Sequence, residues 1–229
     1  MPSEEFLPAT IVGLEALGSR YLILKLQSQA PLSFKPGQYT QVLFEDQDGT
    51  FKKYYSIASA PRPDHRLELC VMMDDVRLQR WALQQHIGSL LRLAPPAGRF
   101  PIPRQDQAVV MLAGGSGITP LKSILEARVA SGEPAPTRLL YGCQTDKEIP
   151  FRAELLALEA GCPNLCVSIY ADHVAMGLAQ EGRPIDHLSA SLLPDAEYLL
   201  CGPAGLMEAA QSLLHSLGVP SDRIHKDRF

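Results

Sequence analysis

A glycine-rich segment at residues 113–120 has the composition of a phosphate-binding loop and lies between a predicted buried strand and a predicted helix. Glycines let backbone N–H groups approach a phosphate closely, while Thr119 can cap the helix and Pro120 suits its first turn. The segment departs from the complete G-x-G-x-x-G motif, because Pro120 stands where the third glycine would be. A turn that only lets a strand and a helix pack together is the alternative interpretation. The glycines that we assign to phosphate binding are Gly114, Gly115 and Gly117.

A second segment, at residues 201–207, also joins a predicted strand to a predicted helix. Ligands of an open parallel sheet bind outside the carboxyl ends of its strands, so we expect both segments to face one crevice. Cys201 would then be directed into the site, with Gly202 and Pro203 beside it. A buried structural thiol is the alternative interpretation of Cys201.

A third segment, at residues 53–59, combines a cation, two aromatic rings and two hydroxyls in one predicted strand: Lys53, Tyr54, Tyr55, Ser56 and Ser59. Further along the chain, Gly98 lies between Pro96 and Phe100 in a P-x-G-x-F pattern. Taken alone, the strand is typical of a half-buried sheet element with an aromatic pair. In combination with the other two segments, it is a candidate for ligand binding.

The third segment lies in the N-terminal half of the chain, which must position it. The apolar residues of this half come in short, partly alternating runs separated by turn residues. This pattern is typical of antiparallel sheet and predicts a small six-stranded antiparallel β-barrel. One short helix is expected at residues 75–85. The predicted strands are residues 9–14, 21–27, 38–44, 52–57, 66–72 and 90–94.

The C-terminal half has a different pattern, which begins after a proline-rich stretch at residues 95–106. Apolar runs at 109–113, 139–141, 165–169 and 198–201 alternate with helical stretches at 119–129, 150–158 and 204–217. Such alternation predicts an α/β domain with a parallel sheet covered on both faces. We therefore divide the chain into a barrel domain, residues 1–104, and a nucleotide-binding domain, residues 105–229.

Composition excludes several other functions. The chain is 46% hydrophobic and 20% charged, which is typical of a folded globular protein, and its net charge of −4 gives no basic stripe for nucleic acid. No apolar stretch approaches the roughly 20 residues of a membrane span, and the acidic start does not resemble a leader, so we expect a cytoplasmic protein. Five cysteines without paired C-x-x-C spacing predict neither a disulfide framework nor a metal site.

The order of the motifs resembles the ferredoxin-NADP reductase superfamily: K-x-Y-S-x-x-S at 53–59, P-x-G-x-F at 96–100, G-G-S-G-I-T-P at 114–120 and C-G-P-x-x-x-M at 201–207. The resemblance covers nearly the whole chain. It implies that the barrel binds FAD, with FMN less expected, and that the second domain binds NADH or NADPH as the hydride donor. The nicotinamide would lie near the flavin where the domains meet.

The same resemblance implies roles for individual residues. Tyr55, with Tyr54, Ser59 and Gly98 in the same site, would pack against the isoalloxazine, and Ser56 would bond near flavin N5. Gly114, Gly115, Gly117 and Thr119 would bind the pyrophosphate of the pyridine nucleotide. Cys201, followed by Gly202 and Pro203, would lie beside nicotinamide C4. Asp227 stands where Glu is more usual, and Phe229 would be an aromatic end near the flavin or a simple sheet-edge residue. The proposed catalytic residues are Ser56, Cys201 and Asp227.

Two departures from the family pattern concern the flavin phosphates. Lys53 stands where the family usually has Arg, which keeps the charge but loses the bidentate fork. The G-x-x-S turn that usually binds the FAD pyrophosphate is missing, and residues 74–77 occupy its place. We therefore expect the ADP half of FAD to be held differently or weakly.

Three functions remain open at this point. The first is a flavoprotein reductase that passes electrons from NAD(P)H to an unidentified acceptor such as ferredoxin or another redox protein. The second is a reductase that uses flavin as a diffusible substrate, and the third is a non-catalytic flavin or nucleotide sensor. Because residues 144–147 and 168–172 contain no arginine pair for a 2′-phosphate, we expect NADH rather than NADPH.

Overall fold

A computed structural model describes residues 6–132 and 134–227, and its N-terminal half is a six-stranded antiparallel sheet. The strand order is β4-β3-β6-β1-β2-β5. The strands are β1 (Leu7–Leu17), β2 (Tyr21–Ser28), β3 (Tyr39–Asp46), β4 (Gly49–Ser56), β5 (Arg66–Met72) and β6 (Leu90–Leu93). The predicted β-barrel is thus a strongly curled sheet.

The curl brings the two edge strands, β4 and β5, together at a single point. Ile57 forms an isolated bridge with Leu69, and the Ala58 N–H donates to the Glu68 carbonyl at 2.8 Å. The interior is filled by the apolar residues that alternate along the strands. A short helix, α1 (Val76–Ala82), packs Trp81 edge-to-face on Phe44, with the ring centroids 4.7 Å apart.

The C-terminal half is a six-stranded parallel sheet with the order β10-β9-β8-β7-β11-β12. The first strand of this half lies in the middle of the sheet, and the next three strands are added on one side of it. The fifth and sixth strands are added on its other side. This reversal leaves a crevice at the carboxyl ends of the first and fifth strands, where ligands of such sheets bind. The strands are β7 (Val109–Gly114), β8 (Thr137–Thr145), β9 (Leu165–His173), β10 (Gln180–Glu181), β11 (Glu197–Cys201) and β12 (Ile224–Asp227).

Helices cover both faces of this sheet. Helices α2 (Ile118–Ala130) and α3 (Arg152–Ala160) pack with one face, and α4 (Ala204–Ser216) packs with the other. The core under α2 continues into the barrel, where it includes Tyr21, Ala58 and Phe100. Since α2 is covered by the sheet on one side and by the barrel on the other, it is buried nearly all round.

A buried charged cluster joins α2 to the barrel. Lys122 of α2 has no exposed surface, and its Nζ lies 2.8 Å from Glu68 Oε2 of β5 and 2.5 Å from Glu126 Oε1 of α2. Burial alone would raise the pKa of Glu68, but the charge and hydrogen bond of Lys122, together with the Arg62 charge, lower it below its ordinary value. Glu68 therefore stays ionised, and the cluster is an ion-paired link between the two halves.

The predicted elements are present, and the differences lie mainly at their ends. The short helix is confined to Val76–Ala82, and the strand β10, with only two residues, had no sequence pattern to predict it. The expected cap at Thr119 is wrong: its Oγ1 donates to the Ser116 carbonyl at 2.8 Å, because the chain first makes a 3-10 turn over Gly115–Gly117. The boundary at residue 104 stays a prediction.

Candidate functional site

A cleft of about 180 Å³ lies between the two halves of the protein. Its barrel wall comes from β4 and the end of β5, and its other wall is formed by Ser116 and Thr119 at the start of α2. Because β4 is an edge strand, side chains from both of its faces border the cleft. The barrel residues are Lys53, Tyr54, Tyr55, Ser56, Cys70, Met72 and Asp74. The structure thus brings residues of the first and third sequence segments together.

Two polar atoms in this cleft are buried without a hydrogen-bond partner among the described residues: the Tyr55 hydroxyl and Ser56 Oγ. Burial, and then the charges of Asp74 and Asp75, raise the pKa of Tyr55, so its hydroxyl remains a donor. Buried polar groups are normally paired, and an unpaired one needs an explanation. Tyr55 and Ser56 both line the cleft, so this wall carries two polar groups that the described residues leave unpaired.

Lys53 is held by two acidic neighbours at the mouth of the cleft. Its Nζ lies 3.2 Å from Asp75 Oδ2 and 3.7 Å from Asp74 Oδ1. Asp75 also caps α1, since its Oδ1 accepts the Arg77 N–H at 2.7 Å. Arg77 in turn donates twice to Asp46, at 2.8 Å each, and this hydrogen bonding lowers the pKa of Asp46 to about 2. Both cations are therefore paired with carboxylates.

The glycines of the first two segments allow the ends of β7 and β11 to approach each other. A methyl group on Gly117 would lie 2.2 Å from the Cys201 carbonyl oxygen, and one on Gly114 would lie 2.8 Å from Pro203 Cδ. Gly115 has a φ of +55°, in the left-handed region that favours glycine. Gly114 and Gly117 need glycine for packing, and Gly115 and Ser116, in the turn before α2, are partly exposed.

A second cleft, of about 230 Å³, lies at the carboxyl ends of β7, β8 and β9. It is bordered by Gly115, Gln144, Asp172 and Pro203 from the parallel-sheet half, and by Arg20 and Tyr21 from the barrel. Burial, the largest effect, raises the pKa of Tyr21 to about 12. The cleft extends from the glycine loop toward the ends of the neighbouring strands, as a binding site for an extended phosphate-containing ligand would.

The arginines of this second cleft were missed by the sequence analysis. Arg20 hydrogen-bonds to Gln144, and Arg183 lies 3.3 Å from Asp186 in an ion pair. The two segments that were considered contain no arginine pair, as expected, while Arg20 and Arg183 border the same cleft from other parts of the chain; the preference for NADH stays a prediction. Arg20 comes from a turn of the barrel and Arg183 from a loop after β10, so no local pattern marks them.

Several predicted site residues lie away from both clefts. Ser59 is fully buried, and its Oγ accepts the Glu68 N–H at 3.1 Å. Gly98 has a φ of +97° and packs on the Tyr39 ring, beside a separate depression that includes Arg99. Gly117 is buried beneath the loop, and Gly202 is partly exposed. Ser59 makes packing contacts and Gly98 borders the separate depression, and their contacts with a flavin stay predictions.

Cys201 has no exposed surface, and burial, followed by the nearby charge of Asp227, raises its pKa well above the ordinary value. Asp227 is the register partner of Cys201 in the β11–β12 pair. The expectation that the thiol is directed into an open site does not agree with this burial. Phe229 lies outside the described residues.

Two further findings concern metal ions and membranes. No group of three or more His, Cys, Asp or Glu side chains within residues 6–132 and 134–227 is arranged to hold a metal ion. None of the helices in the described part of the chain has the length and apolar character needed to cross a bilayer.

Comparisons with known proteins agree with this architecture. Residues 111–212 match the family of oxidoreductase NAD-binding domains. A flavohemoprotein of Bordetella pertussis is 30% identical over 212 residues, which cover 86% of this chain and 53% of that protein. The ferredoxin reductase component of 3-ketosteroid-9-alpha-monooxygenase from Mycolicibacterium smegmatis is 30% identical over 203 residues, which cover 86% of this chain and 56% of that protein.

Among solved structures, the flavohem-like FAD/NAD-binding domain of nitric oxide dioxygenase from Vibrio cholerae has a TM-score of 0.85 and 24% identity, covering 97% of this chain and 98% of that one. The curled antiparallel sheet, the parallel sheet and the cleft between them define a two-domain oxidoreductase fold with a nicotinamide-dinucleotide domain. Residues 111–212 belong to the family of oxidoreductase NAD-binding domains, and the chain as a whole is similar to reductases of the ferredoxin-NADP reductase superfamily. It spans about half the length of the curated relatives that it matches.

The close approach at Gly117 gives a testable prediction. Gly117→Ala should lower the free energy of unfolding by about 1–3 kcal/mol, because the added methyl group meets the Cys201 backbone, which cannot move aside freely. Gly205→Ala is the matched control, since a methyl group there meets nothing within 4 Å and lies in the first turn of α4. Urea denaturation measures both, and equal stability of the two variants would contradict the packing argument.

Proposed function

We propose that the protein is a flavin-dependent oxidoreductase that uses NADH or NADPH as its hydride donor. The observation that carries this proposal is the cleft lined on one side by Tyr55 and Ser56, whose hydroxyls have no partner among the described residues, and on the other by Ser116 and Thr119 of the nucleotide domain. The barrel wall would hold a planar flavin, and the opposite wall, which begins at the glycine loop, would hold the pyridine nucleotide. The fold supports this assignment of one ligand to each half of the protein.

The residues divide into two groups. Tyr55 and Ser56 would hold the flavin ring, which we take to be that of FAD, while the loop at Gly115 and the second cleft would hold the pyridine nucleotide. When both are bound, the nicotinamide supplies a hydride and the flavin N5 accepts it. The task of the protein is then to orient the two rings and to exclude water, and no general base is needed.

Cys201 and Asp227 receive a supporting role in this proposal. They are adjacent on β11 and β12, and the Cys201 carbonyl oxygen lies against Gly117. Displacing either residue would move the loop that borders the nucleotide. Their effect on the reaction would therefore come through the position of that loop.

The electron acceptor that we propose is a separate redox protein. Relatives that are named as ferredoxin reductase components support this class of acceptor. Flavin as a diffusible substrate and a non-catalytic sensor are the competing functions. Both the choice of NADH over NADPH and the cytoplasmic location stay predictions.

Spectroscopy of the purified protein tests the proposed function. The protein, loaded with FAD and mixed with NADH without oxygen, should lose its oxidised-flavin absorption and pass electrons to ferricyanide. Ser189→Ala, at an exposed serine that borders neither cleft, is the matched control for Ser56→Ala, which should slow flavin reduction about tenfold. Bound flavin that NADH and NADPH both leave oxidised would favour the sensor, and protein that binds no flavin would refute the proposal.

The pairing of Lys53 with Asp74 and Asp75 predicts weak recognition of the flavin phosphates. Asp74→Asn combined with Asp75→Asn should free Lys53 while keeping the helix cap, since Asn also caps helices. The affinity for FAD relative to riboflavin should then rise about tenfold, and this gain should fall at high salt. Fluorescence titration measures both affinities, with Glu45→Gln as the control for loss of one surface charge. An unchanged ratio would mean that Lys53 does not face the phosphates.

A further inference from the structure

The two walls of the cleft continue directly into the buried cluster around Lys122. Thr119, on the nucleotide wall, precedes Lys122 by one turn of α2. On the flavin wall, Ser56 is followed within two residues by Ala58, whose carbonyl oxygen lies 3.4 Å from Lys122 Nζ. Lys122 thus lies one turn behind the nucleotide wall, and its ammonium group contacts the segment that follows the flavin wall.

Further hydrogen bonds converge on the same short stretch, residues 58–60. The Ala60 N–H donates to Glu126 Oε2 at 2.9 Å, and Ser123 Oγ donates to the Ser59 carbonyl at 2.7 Å. Ser59 Oγ accepts the Glu68 N–H. Helix α2 is therefore tied to the segment after β4 by directional bonds, which do not permit the sliding that an apolar contact would allow.

The energetics of burial make this link stiff. A charged ammonium group without exposed surface is very costly unless it is paired, and its two carboxylates come from different parts of the fold. A shift of α2 along the barrel would separate Lys122 from Glu68, and the buried ammonium would then keep only Glu126 of its own helix as a carboxylate partner. The Phe151 ring, 4.6 Å from Nζ, and Arg62, 3.6 Å from Glu68, enclose the cluster from other sides.

We propose that Lys122 is a positioning residue for hydride transfer, acting by fixing the separation of the two walls of the cleft. This inference rests on the proposed function, in which the flavin and the nicotinamide are held by opposite walls. Reaction rates fall steeply when reacting atoms are displaced by about 1 Å. Loss of the link should therefore slow the transfer step far more than it weakens binding of either ligand.

Helix α2 offers a matched control for the loss of a buried cation. Arg128 is also buried, but it donates to the carbonyl oxygens of Pro103, Arg104 and Gln107, in the segment that joins the two sheets, and not to the residues behind the cleft walls. Lys122→Met and Arg128→Met should both lower the thermal stability. Only Lys122→Met should slow the limiting rate of flavin reduction at saturating NADH, by about ten- to a hundredfold.

Binding and amide exchange separate positioning from a general loss of structure. Dissociation constants for FAD and NADH should change less than threefold in Lys122→Met. Hydrogen exchange of the ligand-free protein should be faster at Ala58, Ala60 and residues 115–119 in Lys122→Met, but not in Arg128→Met. These amides lie in the two segments that Lys122 connects. Faster exchange in both segments would therefore be the direct sign that the connection has been broken.

A charge-free variant keeps the test decisive if Lys122→Met does not fold. Combining Lys122→Met with Glu68→Gln and Glu126→Gln leaves no buried charge in the cluster, and such replacements are often tolerated. Its reduction rate should also fall at least tenfold. A wild-type limiting rate in either Lys122 variant, or an equal slowing in Arg128→Met, would overturn the inference. Absence of flavin reduction in the wild-type protein would instead refute the proposed function.

Discussion

The ammonium group of Lys122 imposes the constraint on which the site depends. It is fully buried, and its carboxylate partners, Glu68 and Glu126, lie on the barrel and on α2. Neither half of the protein could bury this charge alone without a large free-energy cost. The two halves must therefore meet in one register, and that register places β4 opposite the start of α2, where the cleft lies.

A second constraint acts within the parallel sheet. The order of its strands puts the carboxyl ends of β7 and β11 side by side, and glycine at Gly114, Gly117 and Gly202 allows their backbones to touch. In the turn that follows β7, Gly115 and Ser116 are partly exposed above these closely packed strand ends. The sheet thus presents backbone groups to a ligand, while the barrel presents the side chains of Tyr55 and Ser56.

The sequence predicted most of the fold because its signals are local. Alternation marked strands such as β5, and the glycine loop followed a continuous apolar run, so both halves and their motifs could be assigned. The cluster at Lys122 was not predictable, because Glu68 is 54 residues away and a lysine in a helix usually faces solvent. Arg20 was missed at the second cleft for the same reason, since it lies in the barrel. Ser59 and Gly98 matched family motifs but border neither cleft, so their contacts with a flavin stay predictions.

The central claim is that the cleft between the two halves brings the nicotinamide to the flavin. The most direct measurement is the rate of flavin reduction in a single turnover without oxygen, using saturating NADH with deuterium in place of both hydrogens on nicotinamide C4. The account predicts loss of oxidised-flavin absorption that is clearly slower than with ordinary NADH, because a C–H bond breaks in that step. A bound flavin that NADH leaves oxidised, although both ligands bind, would contradict it.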